Sequence, residues 1–234
     1  QDFWTRDEIG AIGNFVPVSP PILHTAVGVV TLNFDEPVTG VDIADFVLTR
    51  DNGSGPVAVG LGGIGVQSVD STQYTLDLNL KTGAAGDYVL QLVDTDPVTP
   101  IQDAAGNVAA QTSVTWSTNI TAPTASFTAI ATPRNLGAGV VTIDFTEDVT
   151  GFDITDLTLT RDGQPVSLLG LSLVPVSGSQ YTIDLDVNAT TDPEGLYELS
   201  MVASGSDIID DAGNALPNDV SVSWVMDTTA PTAD

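Results

Sequence analysis

A chain of 234 residues, 42% of them hydrophobic, can hold one large domain or two ordinary ones, and its formal net charge is −26 from 31 Asp plus Glu against five Lys plus Arg. That charge repels polyanions, so nucleic acid and anionic membrane are poor partners and cations are good ones. The lack of cysteine removes disulfide frameworks, thiolate zinc sites and cysteine nucleophiles, and no run of 18 apolar residues offers a membrane-spanning helix.

Residues 1–12, QDFWTRDEIGAI, carry Phe3, Trp4, Ile9 and Ile12 and lie outside the repeated pattern described below. They read as an N-terminal extension, either the tail of a preceding unit folded back or an assembly strand, and Gln1 suggests a processed or excised start. A first strand signal follows at GVVTLNF (28–34), where Val30, Leu32 and Phe34 alternate with polar residues. Successive strand side chains point to opposite faces, so this pattern predicts a half-buried strand. The acidic phrase FDEPVTGVDIADFVLTRD (34–51) comes next, then the turn-former RDNGSG (50–55). QYTLDLNL (73–80) predicts inward Tyr74, Leu76, Leu78 and Leu80; GDYVLQLV (86–93) predicts Tyr88, Leu90 and Leu92. The turn DAAGN (103–107) and the run SVTWSTNITAPTA (113–125), with Val114 and Trp116 inward, complete the first unit.

The same words then return. FTEDVTGFDITDLTLTRD (145–162) is identical to the first acidic phrase at 12 of 18 positions. GVVTIDF (139–145), QYTIDLDV (180–187), GLYELSMV (195–202), DDAGN (210–214) and SVSWVMDTTAPTA (221–233) repeat the rest in order. The inward sets are Val141, Ile143 and Phe145; Tyr181, Ile183, Leu185 and Val187; Tyr197, Leu199 and Met201; Val222 and Trp224. Roughly seven short strands per copy, with no helical period and no βαβ rhythm, predict an all-β fold of two tandem immunoglobulin-like antiparallel β-sandwiches. The expected divisions are residues 13–120 and 121–234. Pro123 stiffens the connection ahead of a strand expected at SFTAI (126–130), and the closing DTTAPTAD (227–234) suggests a further unit beyond.

Taken together, F-x-E-x-V-x-G, D-x-x-D-x-x-L-T-R-D, D-x-A-G-N and T-A-P-T-A resemble the bacterial Ig-like tandem repeats of large secreted adhesins and biofilm matrix proteins. The resemblance covers residues 13 to 234. It implies a secreted, cell-surface or matrix stalk built of head-to-tail sandwiches, stiffened by calcium at domain poles and junctions. By the same resemblance, acidic residues after an early strand, in the AGN loop and at the linker gather at one pole. The metal candidates carried over are Glu36 and Glu147, Asp103 and Asp210, and the linker residues Asn119 and Asp227. Asn119 in place of an Asp, and Ala104 where the second copy has Asp211, imply a less charged first junction.

The residues also allow blander readings. Calcium takes six to eight oxygens from carboxylates, carbonyls and water, so Asp, Glu and Asn in loops have the right chemistry, but they are also good turn residues. The pairs Asp42/Asp45 and Asp153/Asp156 suit capping of a short turn. GLGGIG (60–65) matches the dinucleotide pattern by letter only; the second copy has LLGLSL (168–173), so a bulged or flexible strand is expected. His24 is the sole histidine and has no twin, so a Ser-His-Asp triad is disfavoured and no enzymatic role is expected. Lys81 is the sole lysine, so lysine cross-links are not the general stabiliser. The expected partners are neighbouring Ig-like repeats of the same chain or a homopolymer, with a surface glycan or protein receptor as adhesion target. Two alternatives stand beside the stalk: a subunit of a self-assembling filament or surface layer whose terminal strand completes a neighbour's sheet, and a carbohydrate-binding module using Trp4.

Overall fold

The computed structural model describes residues 6–93, 99–187 and 190–232; Phe3 and Trp4 lie outside them. The chain divides into two compact units, Gln1–Ile120 and Thr121–Asp234. Each is a sandwich of two antiparallel sheets, and among the described residues no helix is long and apolar enough to cross a membrane.

In the first unit the strands are β1 (Gly13–Phe15), β2 (Ile22–Leu23), β3 (Val29–Phe34), β4 (Phe46–Asp51), β5 (Pro56–Val59), β6 (Val66–Ser68), β7 (Gln73–Asp77), β8 (Gly86–Leu92) and β9 (Thr112–Thr118). One sheet runs β1-β3-β7-β6 and the other β2-β9-β8-β4-β5. Among the described strands of this unit the β2–β9 pairing is the parallel one, with Ile22 opposite Ser117, and an isolated parallel bridge joins Ile12 to Ala110. The second unit has β10 (Ala125–Phe127), β11 (Val140–Phe145), β12 (Val149–Thr150), β13 (Leu157–Arg161), β14 (Gln164–Val166), β15 (Leu173–Pro175), β16 (Gln180–Asp184), β17 (Gly195–Met201), β18 (Ile209–Asp210) and β19 (Val220–Met226). Its main sheets run β10-β11-β16-β15 and β14-β13-β17-β19, and β12 pairs with β18. Arg134 bridges Met226 in parallel, where the first unit has β2 on β9. The strands outnumber the seven expected per copy because short edge strands and bridges add to the central ones. This is the immunoglobulin arrangement, with the first strand switching between sheets.

The alternating residues build the cores. Leu32, Leu76 and Leu90 are fully buried in one, Ile143, Ile183 and Leu199 in the other. Tyr88 stacks on Trp116 at 5.4 Å between ring centroids, and Tyr197 on Trp224 at 5.3 Å. The Tyr88 hydroxyl donates to the Ala84 carbonyl (2.8 Å) and that of Tyr197 to the Pro193 carbonyl (2.9 Å). A tyrosine at the start of this strand, bonding backward to the backbone, is the tyrosine corner of immunoglobulin folds. Two residues later, where disulfide-linked members carry a cysteine, stand Leu90 and Leu199, so packing replaces the covalent tie.

Three expectations fail locally, the first two because a turn replaces the strand. Leu80 is 89% exposed and Val187 39% exposed, although both continue the apolar pattern. Asp77 Oδ1 accepts the Asn79 N–H and Asp184 Oδ1 the Asp186 N–H, at 3.0 Å each, and these Asx turns end β7 and β16 before the alternation does. Residues 60–65 form no strand; Ile64 N–H closes a turn onto the Leu61 carbonyl between β5 and β6, with Gly63 at φ +83°. β10 ends at Phe127, short of the expected SFTAI strand. Asp42 and Asp45 form a reciprocal capping box around a single 3₁₀ turn, and Asp153 and Asp156 repeat it. The hairpin between β13 and β14 turns through Asp162 (φ 49°) and Gly163 (φ 75°), the two positive values a type I′ turn needs.

Candidate metal centre

β3 ends at Phe34 and delivers Glu36 to one end of the first sandwich, the end at which the loop before β9 carries Asp103. Asp103 is 5% exposed and is enclosed by its own loop. Its Oδ1 accepts the N–H groups of Ala105 (2.7 Å) and Asn107 (2.9 Å), and its Oδ2 accepts Asn107 Nδ2 (2.8 Å). The AGN sequence follows from this geometry, because Gly106 takes φ +87° and Asn107 supplies both a main-chain and a side-chain donor.

The same Asn107 amide reaches outward to the Ile9 carbonyl (3.2 Å) and the Asp7 carbonyl (3.4 Å). It thereby seats the incoming segment on the pole. Asp35 Oδ1 holds the Ile12 N–H at 2.7 Å, and the Ala110 N–H reaches the Ala11 carbonyl at 3.0 Å. Gly10 lies against the Val108 carbonyl, where a Cβ would fall 2.0 Å from the oxygen, so no larger residue fits that approach. Segment 6–12 is thus strapped down through its backbone, while Ile9 and Ile12 stay largely exposed.

Strapping brings Asp7 to Glu36 and Asp103, and one carboxylate oxygen from each lies within 4.8 Å of the others. The electrostatics differ within the trio. Hydrogen bonds, that of the Asn107 side chain first, hold the Asp103 carboxyl below its usual range. Desolvation, then repulsion from Asp103, Asp7 and Asp35, pushes Glu36 up. Three oxygens of like charge, one fixed as an anion and one resisting ionisation, are what a divalent cation relieves.

In the second unit Asp210 repeats the loop: its Oδ1 accepts from Ala212 N (2.9 Å) and Asn214 N (2.7 Å), its Oδ2 from Asn214 Nδ2 (2.8 Å), and Asn214 Nδ2 also meets the Thr121 carbonyl (3.2 Å). Glu147 follows β11, two residues before Val149, which pairs with Asp210. Asn119 and Asp227 follow the last strands β9 and β19, at the end of each sandwich away from its own acidic loop; their N–H groups bond the Leu23 and Arg134 carbonyls at 2.8 Å. Among the described residues the carboxylate trio therefore joins Glu36 and Asp103 to the incoming Asp7. Asp7 precedes residues 13–234, over which the repeat is read. Its signal is the column that DEIGAIG (7–13) forms with NITAPTA (119–125) and DTTAPTA (227–233), which sets Asp7, Asn119 and Asp227 level.

Other chemistry finds little support. Trp116 and Trp224 are 3% and 1% exposed, so neither is a sugar platform. His24 is exposed, and residues 60–65 do not lie between a strand and a helix as a dinucleotide fingerprint requires.

No family model matches the chain, and no curated protein matches it. Among solved structures it is similar to a titin substructure, at TM-score 0.29 and 11% identity, covering 88% of this chain and 93% of that one. It is also similar to a crystal structure of domains from titin, at TM-score 0.27 and 10% identity, covering 92% and 66%.

Proposed function

We propose that the chain is a non-enzymatic, extracellular spacer of tandem Ig-like sandwiches, stiffened by calcium at the Asp7–Glu36–Asp103 pole. The observation that supports this most is the spacing of the trio: oxygens within 4.8 Å of one another lie close enough for small side-chain adjustments to bring them round one ion at the 2.3–2.6 Å calcium prefers. Carbonyls and water would complete the six to eight oxygens, which a partly open site allows. Magnesium fits less well, since it requires near-octahedral geometry at about 2.0–2.1 Å.

Bound calcium would offset the repulsion on Glu36 and tie the incoming segment to two loops of the sandwich, so that load entering the chain is carried by the β1–β3 pairing and the pole together. Such a module holds something at a distance from a surface; its adhesion target would be a glycan or a protein. The net charge of −26 suits a compartment where calcium is abundant.

Thermal unfolding with and without calcium tests the reading. At a concentration 100 times its dissociation constant, calcium adds about 2.7 kcal/mol to the unit that binds it. The transition of the first unit should rise, fall back with chelator, and lose its response in a D7N/E36Q/D103N chain. Identical curves with and without calcium would remove calcium from the proposal.

A further inference from the structure

The second sandwich keeps hold of the chain after its last strand has ended. β19 stops at Met226, yet Asp227 donates its N–H to the Arg134 carbonyl at 2.8 Å. Glu194, in the turn before β17, then gathers the next two residues. Its Oε1 accepts Thr228 N at 3.0 Å, Thr228 Oγ1 at 2.5 Å and Thr229 Oγ1 at 3.0 Å. These bonds, the Thr228 hydroxyl first, hold the Glu194 carboxyl below its usual range. Arg134 is itself pinned: its N–H meets the Val225 carbonyl at 3.0 Å, and its guanidinium donates to the carbonyls of Leu136, Gly137 and Ala138.

The first copy is built differently at the same places. Leu23 stands for Arg134, as its carbonyl accepts the N–H of Asn119 at 2.8 Å. Ala85 stands for Glu194, one residue before the glycine that opens β8. Neither Leu23 nor Ala85 can make these side-chain polar contacts, so these two positions do not reproduce the clamp in the first copy.

What the clamp presents is Asp227. Its Oδ1 accepts the Thr229 N–H at 2.9 Å, in the same two-residue turn by which Asp7 Oδ1 accepts the Ile9 N–H at 3.1 Å. We propose that Glu194 is a positioning residue that, with Arg134, locks the outgoing segment 227–229 onto the second sandwich and fixes Asp227 in the turn that Asp7 adopts at the carboxylate trio. A carboxylate preset in this way would be available to a divalent cation. That last purpose rests on the calcium reading above, whereas the lock needs no metal.

Amide hydrogen exchange on the full chain, followed residue by residue by NMR in chelator, tests it. The Thr228 amide should be protected and should exchange about tenfold faster in Glu194→Ala, with Glu194→Gln between, because its amide carbonyl still accepts. Amides of β19 should be unchanged in both variants, which are exposed-site substitutions. An unprotected Thr228 amide in the unaltered chain, or no change in Glu194→Ala, overturns the lock. The two readings fail separately: the calcium response at the first pole is measured on other residues and with metal present.

Discussion

The two copies seat their incoming segments alike and charge them differently. In the first, Asn107 holds the Ile9 carbonyl and Asp35 holds the Ile12 N–H; in the second, Asn214 holds the Thr121 carbonyl and Thr146 Oγ1 holds the Thr124 N–H. Two residues ahead of Ile9 the sequence has Asp7, and two ahead of Thr121 it has Asn119. The AGN loop with its buried Asp is therefore scaffold, the same in both, while the carboxylate that completes a trio arrives on the variable segment. On the calcium reading proposed above, fold and cation affinity are therefore separable.

The largest effect should fall on what the copies share. Trp116→Ala and Trp224→Ala each remove a stacked, buried ring, for a loss of about 3–5 kcal/mol. The cores are separate clusters, so each substitution should lower one melting transition in calorimetry and leave the other. If either variant lowers both equally, the copies do not unfold as independent units.

Next comes what they do not share. Asp7→Asn gives the first copy the residue found ahead of the second, and it should weaken calcium binding by on the order of tenfold while leaving metal-free stability nearly unchanged, because affinity follows ligand charge. Isothermal titration checks the first half and melting in chelator the second. The tyrosine corners should behave alike again: Tyr88→Phe and Tyr197→Phe each lose one hydrogen bond, about 1 kcal/mol, readable by urea unfolding of each transition.

The smallest effect is the pH dependence of the trio. Glu36 is raised, so between the ordinary glutamate range and its native value the folded chain keeps a proton the unfolded chain has lost. Stability from this group falls as pH rises through that window. Asp103 is lowered and does the reverse: its contribution is full above the ordinary aspartate range and is lost as pH falls through the native value. Carbon-detected titration of the two carboxyls in chelator should show them displaced in opposite directions; displacement in the same direction would contradict the charge arrangement at this pole.

Much of this was legible in the sequence, for identifiable reasons. Alternation set by a period of two found Leu32, Leu76, Ile143 and Ile183, because a strand with one buried face leaves no other register. It misplaced Leu80 and Val187, since an Asx turn is decided by one Asp side chain and leaves the apolar pattern intact. Glu36 and Asp103 stood out because the resemblance implies that acids after an early strand and in the AGN loop gather at one pole, and the fold brings these two together. Asp7 did not, because its place depends on β1 pairing with β3 and on a bond from Asn107 a hundred residues away. Glu194 had no signal at all: its counterpart is Ala85, and its partners Thr228 and Thr229 lie in a segment that reads as linker.

The most direct test of a cation-built pole is a calcium titration of the full chain by NMR, following the Asp7, Glu36 and Asp103 side chains. One equivalent should shift all three together and saturate, with no such response in the D7N/E36Q/D103N chain. Resonances that stay still to millimolar calcium, or that move equally in the triple variant, would contradict it.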